Sequence, residues 1–480
     1  MRLRDLFDLS RVQLTGDPDT EITGLAYDSR LVKPGDLFFC IRGLAADGNR
    51  FAADACGRGA AAVMSREPHT EVDAAVVQVE DDRQAMAEAA CAFHGHPSRR
   101  MRMVGITGTN GKTTTTYMIK RLAEKAGLRV GLIGTICNMI GSEKLHTERT
   151  TPESPDLQAL LEQMADAGCD LVVMEVSSHA LALDRVHGMH FDVGIFSNLT
   201  QDHLDFHGTF EHYAAAKERL FAASSVSLIN LDDAAAQRML ASASGRCVTY
   251  GLREGDVRAC DIHMDPAGVR YILRAAGREI PIEVGIPGRF TVYNSMAAAA
   301  AALELGLQPD DLRAAFREMP PVAGRVEPLD TRGGGFSVVL DYAHTPDSLE
   351  NVLRTVRDFA AGEVMVVFGC GGNRDAGKRP QMGGIAARGA DRLFVTSDNP
   401  RFEDPMAIIA DIEAGVPEGT VRETIENRRE AIRAALLRAR PGDVIVLAGK
   451  GHEDYQEIKG VKYPFDEKIV VAELLDELGF

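Results

Sequence analysis

Apolar residues in this chain fall into short runs, each closed by a glycine-rich or polar loop and followed by residues with helical spacing. Leu37, Phe38, Phe39 and Cys40 follow the turn Pro34-Gly35 and predict a strand over 36–41. A helical stretch over 85–94 leads to His96-Pro97-Ser98-Arg99-Arg100, a polar, proline-marked segment that reads as a domain boundary. Beyond it come a strand at 103–106, a glycine-rich loop, a helix over 113–126 ending at Gly127, and strands at 171–176 and 193–196. A second alternation starts near Ser337, with strands at 338–340, 364–368, 393–396 and 444–447, and a seam falls near Arg325. Strand, loop and helix in alternation predict an α/β protein of parallel sheets covered by helices. Ligands then bind beyond the carboxyl ends of the strands, so the loops there are the places to look for a site. No internal repeat is visible.

Length fits this division. At about 150 residues per domain, 480 residues make about three. The expected boundaries are 1–99, 100–325 and 326–480. A net charge of -17 argues against a general nucleic-acid binder, which would carry a basic face, but leaves room for anionic small substrates in local pockets. The eight cysteines form no C-x-x-C pair, which disfavours a disulfide scaffold or a zinc site and fits a reducing compartment. Asp5 and Asp8 interrupt the N-terminus, unlike a signal peptide, and the alanine-rich run 296–303 is too short to span a bilayer. These features together predict a soluble, cytoplasmic protein without membrane insertion.

The most informative loop is Gly108-Thr109-Asn110-Gly111-Lys112-Thr113-Thr114, set between strand and helix. Glycines let backbone N–H groups approach phosphate oxygens, and the helix N-terminus favours the anion. Lys112 would reach the terminal phosphates of ATP and the Thr113 hydroxyl would ligate Mg²⁺. The loop is a variant, because Ile106 stands where the standard pattern has glycine.

Other residues are less decisive by themselves. Glu175 ends an apolar run, where a carboxylate can reach a Mg²⁺ shared with ATP or simply close a strand. The segment 198–208 gathers His203, His207, Asp202 and Asp205, and reads equally as a metal or polar site and as a solvated turn. Lys217 lies in helical sequence and, taken alone, looks like an exposed helix lysine.

In order along the chain, these pieces resemble the Mur ligase family, and within it the members that add the third peptide residue to a UDP-N-acetylmuramoyl dipeptide. The resemblance runs from Tyr27-Asp28-Ser29-Arg30 and Pro34-Gly35-Asp36-Leu37-Phe38 through the phosphate loop, Thr150-Thr151-Pro152-Glu153, Glu175 to His179, 198–208 and Lys217. It continues with Asp341-Tyr342-Ala343-His344-Thr345-Pro346, 369–380, Asp398-Asn399-Pro400-Arg401 and Gly449-Lys450-Gly451-His452-Glu453. It implies a smaller mixed α/β domain that binds the UDP-sugar, a central P-loop-type domain that binds ATP, and a Rossmann-like domain that binds the amino acid. It implies a carbamoylated Lys217, which with Glu175, His203 and Thr113 would hold Mg²⁺, two ions per site. Tyr27, Ser29, Thr150, Thr151, Ser177 and Arg185 would hold the UDP-sugar dipeptide, Asn294 would contact adenine, and Arg325 and Asp341 would belong to the nucleotide site. Thr291 and Leu183 depart from residues common in the family.

The resemblance implies ATP-dependent amide formation through an acyl phosphate, in the synthesis of a cell-wall precursor by a monomer. The candidate amino acids are meso-2,6-diaminopimelate and L-lysine, which differ by one carboxylate. Asp398-Asn399-Pro400-Arg401 resembles the diaminopimelate type, with Arg401 a two-pronged partner for that carboxylate. Arg374, Asp398, Asn399, Pro400, Arg401, Gly449 and Glu453 would line the pocket. The alternatives are an L-lysine-adding ligase and a folylpolyglutamate synthetase-like ligase.

Overall fold

The computed structural model describes residues 1–43, 46–265 and 268–480. Three main sheets follow one another along the chain. The first pairs Gly24–Ala26, Asp36–Phe39, Ala62–Ser65 and Ala75–Gln78 in parallel, with Gln13–Thr15 antiparallel at one edge. Helix Asp82–Phe93 seats Met86 and Ala89 in the core on this sheet.

The second sheet has eleven strands, and its centre is parallel: Arg102–Thr107 lies between Leu171–Glu175 and Phe191–Phe196. Helix Lys112–Lys125 packs on one face together with helix Arg289–Glu304, whose Ala297 to Ala302 are all buried. Alanine side chains let the two helices approach closely, which explains a run apolar on every side. On the other face, Leu157, Leu161 and Met164 of Ser154–Asp166 share a core with Tyr213, Leu220 and Phe221 of Phe210–Ala222. Covered on both sides, the central strands read as continuous apolar runs. The sheet then extends through Val257–Asp265, Gly268–Ala275 and Arg278–Val284, which pair antiparallel and bury alternate residues. Their alternating polarity hides them from a search for apolar runs.

From Arg102–Thr107 the chain winds one way to Val130–Ile133 and the other way to Phe191–Phe196 and Ser224–Asn230. The loops after Arg102–Thr107 and Phe191–Phe196 therefore diverge and leave a crevice at their carboxyl ends.

The third sheet contains the four expected apolar strands, as Ser337–Asp341, Val444–Ala448, Val364–Phe368 and Arg392–Val395, all parallel. It also has two unforeseen edge strands, Glu327–Leu329 and Arg422–Thr424. Edge strands are paired on one side only and need no apolar run, so Glu327-Pro328-Leu329 and Arg422-Glu423-Thr424 suffice. Among the described residues no helix is long and apolar enough to cross a membrane.

Candidate active site

Strand Arg102–Thr107 runs directly into the glycine-rich loop, and helix Lys112–Lys125 leaves it. Gly108 has φ +151, and a Cβ there would lie 1.9 Å from Ser197 Oγ; one on Gly111, at φ +87, would lie 2.5 Å from Asn294 Oδ1. Both positions therefore require glycine. The neighbouring strand end clamps the loop: Asn110 N–H donates to Asn198 Oδ1 (2.9 Å) and Ser197 Oγ donates to Asn110 O (2.7 Å).

Two amines meet on this loop. Lys112 Nζ donates to Gly108 O (2.9 Å) and Thr109 O (2.8 Å), and Lys217 Nζ donates to the same Gly108 O (2.9 Å). Burial lowers the pKa of both; Glu175 and Asp202 counteract it at Lys112, whereas at Lys217 the nearby Lys112 adds to it and the pKa falls well below the ordinary lysine range. The exposed-helix reading of Lys217 is wrong: at 1% exposure it shares the buried face of its helix with Tyr213, Ala214, Leu220 and Phe221. Nothing in the local pattern distinguishes that face, because a lysine at helical spacing is ordinarily solvated.

Glu175 closes its strand and is buried, accepting from Thr113 Oγ1 (3.0 Å), Thr135 N–H (2.9 Å) and Thr135 Oγ1 (3.0 Å). His203 has φ +53, and its ring sits edge-on to His179 at 4.7 Å and 3.4 Å from Asp202 Oδ2. Glu175, His203, Lys112, Lys217, Thr113 and Arg325 all line one cavity of about 290 Å³. Among the described residues no three His, Cys, Asp or Glu side chains converge as a ligand set. The donors that do face the phosphate loop, the Thr113 hydroxyl and the Glu175 carboxylate, are hard oxygens of the kind Mg²⁺ takes.

A second cavity of about 820 Å³ opens beside the loop, lined by Asn110, Gly111, Thr114, Asn294, Arg325 and Asp341 among others. Arg325 Nη2 donates to Thr113 Oγ1 (3.2 Å), carrying the seam between the second and third sheets to the phosphate loop. Val326 holds φ +44, a strained value for a β-branched residue, and its N–H donates to Asp341 Oδ2 (2.8 Å). Burial raises the Asp341 pKa, with Arg325 pulling the other way.

Thr150, Thr151, Ser177 and Arg185 form a connected wall. Thr151 Oγ1 donates to Glu175 O (2.8 Å) and accepts from Ser177 N–H (3.2 Å), Arg185 Nη1 donates to Thr151 O (3.0 Å), and Thr150 Oγ1 lies 3.0 Å from Thr135 Oγ1. Tyr27 reaches this region from the first sheet by donating its hydroxyl to Asp156. Ser29 is buried in the short 3-10 turn Ser29–Leu31, which Asp28 caps.

The third sheet's loops form the largest contribution to a cavity of about 720 Å³, in which Arg374, Asp398, Asn399, Arg401, Gly449 and Glu453 face Asp202 and His203. Asn399 Nδ2 donates to Glu453 Oε2 (2.8 Å). Burial raises the Glu453 pKa against the pull of Lys450. Pro400 is not among the lining residues; its carbonyl accepts from Glu403 N–H (3.0 Å), so it shapes the turn. Sequence reasoning assigned no role to His344, Lys378 or Lys450. His344 and Lys378 line the cavity, while Lys450 is fully buried and donates to Asn399 Oδ1 (3.2 Å) and Glu453 Oε2 (3.4 Å). All three lie in stretches already singled out, 341–346, 369–380 and 449–453, where proximity to strand ends is the signal.

Three family models match in chain order: Mur ligase family, catalytic domain, over residues 21–94; Mur ligase middle domain over 106–302; and Mur ligase, glutamate ligase domain, over 324–451. A relative from Clostridium acetobutylicum named UDP-N-acetylmuramoyl-L-alanyl-D-glutamate--2,6-diaminopimelate ligase 1 is 46% identical over 482 residues, spanning 100% of both chains. One from Geobacillus kaustophilus with the same enzyme name is 47% identical, over 97% of this chain and 96% of its own. A solved structure of a UDP-N-acetylmuramoyl-L-alanyl-D-glutamate--2,6-diaminopimelate ligase superposes with a TM-score of 0.72 at 34% identity, covering 100% of this chain and 99% of that one. With the phosphate loop, the three sheets and this full-length similarity in agreement, the chain belongs to the Mur ligase family.

Proposed function

We propose that this chain is the ATP-dependent ligase that joins meso-2,6-diaminopimelate to the γ-carboxylate of D-glutamate in UDP-N-acetylmuramoyl-L-alanyl-D-glutamate, a step of peptidoglycan precursor synthesis. The observation that carries the reading is one shared wall. Asp202, His203, Tyr342, His344 and Thr345 line both the cavity at the phosphate loop and the cavity that holds Arg374, Arg401 and Glu453. A phosphorylated carboxylate made on one side thus opens towards an amine held on the other.

The division of labour follows the sheets. Residues 1–99 bind the UDP end through Tyr27 and Ser29, residues 100–325 bind ATP, and residues 326–480 bind the amino acid. Loop amides 108–114 and Lys112 hold the ATP phosphates, Asn294 meets adenine, and Arg325 and Asp341 close the nucleotide site. Thr150, Thr151, Ser177 and Arg185 hold the sugar peptide. The γ-carboxylate attacks the γ-phosphorus of ATP and ADP leaves. The free amine of diaminopimelate then attacks the acyl carbon, loses a proton, and phosphate departs. Lys112 offsets the negative charge that gathers as two anions approach.

Thr113, Glu175, His203 and carbamoylated Lys217 would hold Mg²⁺, which screens the phosphates and polarises the transferring group. Burial supports the modification: by lowering the Lys217 pKa it favours the neutral amine, whose lone pair adds to CO₂ with loss of a proton to give the carbamate anion. In the amino-acid cavity, Glu453 and Asp398 face the distal ammonium, Arg401 its neighbouring carboxylate, and Arg374, Asn399 and Gly449 complete the walls around the turn at Pro400. On this reading the enzyme works as a monomer in the cytoplasm, drawing on ATP there. The full-length relatives speak against a folylpolyglutamate synthetase-like activity. Phosphate release from ATP with the UDP-dipeptide, with diaminopimelate or L-lysine and product mass read out, tests the reading. Release and a new amide with diaminopimelate alone are expected; preference for lysine refutes the pocket assignment, and no amide with either refutes the ligase.

A further inference from the structure

Arg401 sits on a turn built against the two-stranded hairpin Tyr455–Ile458 and Val461–Pro464, which belongs to none of the three main sheets. Arg401 N–H donates to Glu457 O (3.0 Å), Lys459 N–H donates to Arg401 O (2.6 Å), Glu457 N–H donates to Asn399 Oδ1 (2.9 Å), and Gln456 Nε2 donates to Asp398 O (2.7 Å). These bonds hold Arg401 at φ +53, a left-handed conformation uncommon for a long side chain. The side chain is tied as well. Glu457 Oε2 accepts from Arg401 Nε (3.2 Å) and Gly372 O accepts from Nη1 (2.8 Å). Gly371 leaves room for this posture, since a Cβ there would lie 2.9 Å from Nη1.

A guanidinium carries five N–H donors in a rigid fork. Glu457 engages Nε and Gly372 one proton of Nη1, so among the described residues both protons of Nη2 and one of Nη1 have no partner. One proton of each terminal nitrogen points along the Nη1–Nη2 edge, the edge that takes a carboxylate in two parallel bonds. We propose that Glu457 is the positioning residue of diaminopimelate selection: it fixes the Arg401 fork so that its Nη1–Nη2 edge meets the carboxylate that L-lysine lacks. The inference rests on the diaminopimelate reading above. Glu457 also balances the charge of Arg401, so geometry rather than net charge favours the extra carboxylate. An untethered arginine would lose rotamer freedom at each binding event.

The test compares the full-length wild type with Glu457→Ala and Glu457→Gln in initial-rate phosphate release, at saturating ATP and UDP-dipeptide. The alanine variant is expected to raise the diaminopimelate KM about fivefold to tenfold, with kcat within about twofold. The ATP KM stays unchanged, and the ratio of kcat/KM for diaminopimelate over L-lysine falls by the same factor. The glutamine variant recovers part of the loss, because its amide oxygen still accepts from Nε. A diaminopimelate KM that is unchanged or lower in Glu457→Ala overturns the proposal, as does an equal rise in the ATP KM. The underlying reading fails separately: a wild type without preference for diaminopimelate, or an Arg401→Ala variant that keeps it, overturns both.

Discussion

Replacing Arg401 by alanine removes the only arginine on the 398–401 turn while leaving the phosphate loop untouched. Its side chain is about four-fifths buried and tethered by Glu457 and Gly372, so its cavity-facing edge is already oriented. Two charge-assisted hydrogen bonds to a carboxylate on that edge are together worth about 3–6 kcal/mol. At about 1.36 kcal/mol per factor of ten, that predicts a fall of roughly 150- to 25,000-fold in kcat/KM for diaminopimelate. L-lysine offers no carboxylate to that edge, so its kcat/KM barely changes and discrimination between the two collapses. Steady-state phosphate release with each amino acid, under saturating ATP and UDP-dipeptide, gives both ratios, and the ATP KM measured alongside serves as the control. An equal loss with both amino acids, or an ATP KM that rises with the diaminopimelate KM, would refute the assignment of Arg401 to the distal carboxylate.

Other outcomes follow from the same geometry. Lys112→Ala should cut kcat by about 10²–10³, as removal of a preorganised charge from a transition state does, with the melting temperature little changed; turnover within tenfold of wild type would exclude the phosphate role. Gly108→Ala should both inactivate and destabilise by about 1–3 kcal/mol, because its Cβ would lie 1.9 Å from Ser197 Oγ; chemical denaturation checks this. Lys217→Met should abolish ligation and alter the pH dependence of stability. The depressed pKa of Lys217 means that its unfolded form binds more protons between that pKa and about 10.5, so wild-type stability rises with pH across that window. In CO₂-free buffer, denaturant midpoints at pH 7 and pH 9.5 should therefore shift towards the wild type relative to the methionine variant; a constant gap would mean that Lys217 stays charged when folded.

Much of the molecule is legible before folding is considered. Continuous apolar runs such as 103–106 and 364–368 are read correctly as strands because sheets buried on both faces need apolar residues throughout. The glycine-rich loop at 108–114 is equally legible as the turn from strand to helix, because the glycines it requires are close together in sequence. The antiparallel strands 257–284 escape because they bury one face only, and the edge strands 327–329 and 422–424 because they have little apolar content to show.

What the sequence determined by itself was local: which segments form strands and helices, where the glycine-rich loop lies, and which motifs stand in what order. What only the tertiary structure decided was environment. Lys217 looks like any helix lysine until the sheet beneath it removes its water and brings its Nζ to Gly108 O, 109 residues away along the chain. Glu457 lies in an unremarked polar stretch until the hairpin lays it against Arg401, 56 residues earlier. Burial lowers the pKa of the first and long-range pairing gives the second its partner, and neither is a property of neighbouring residues.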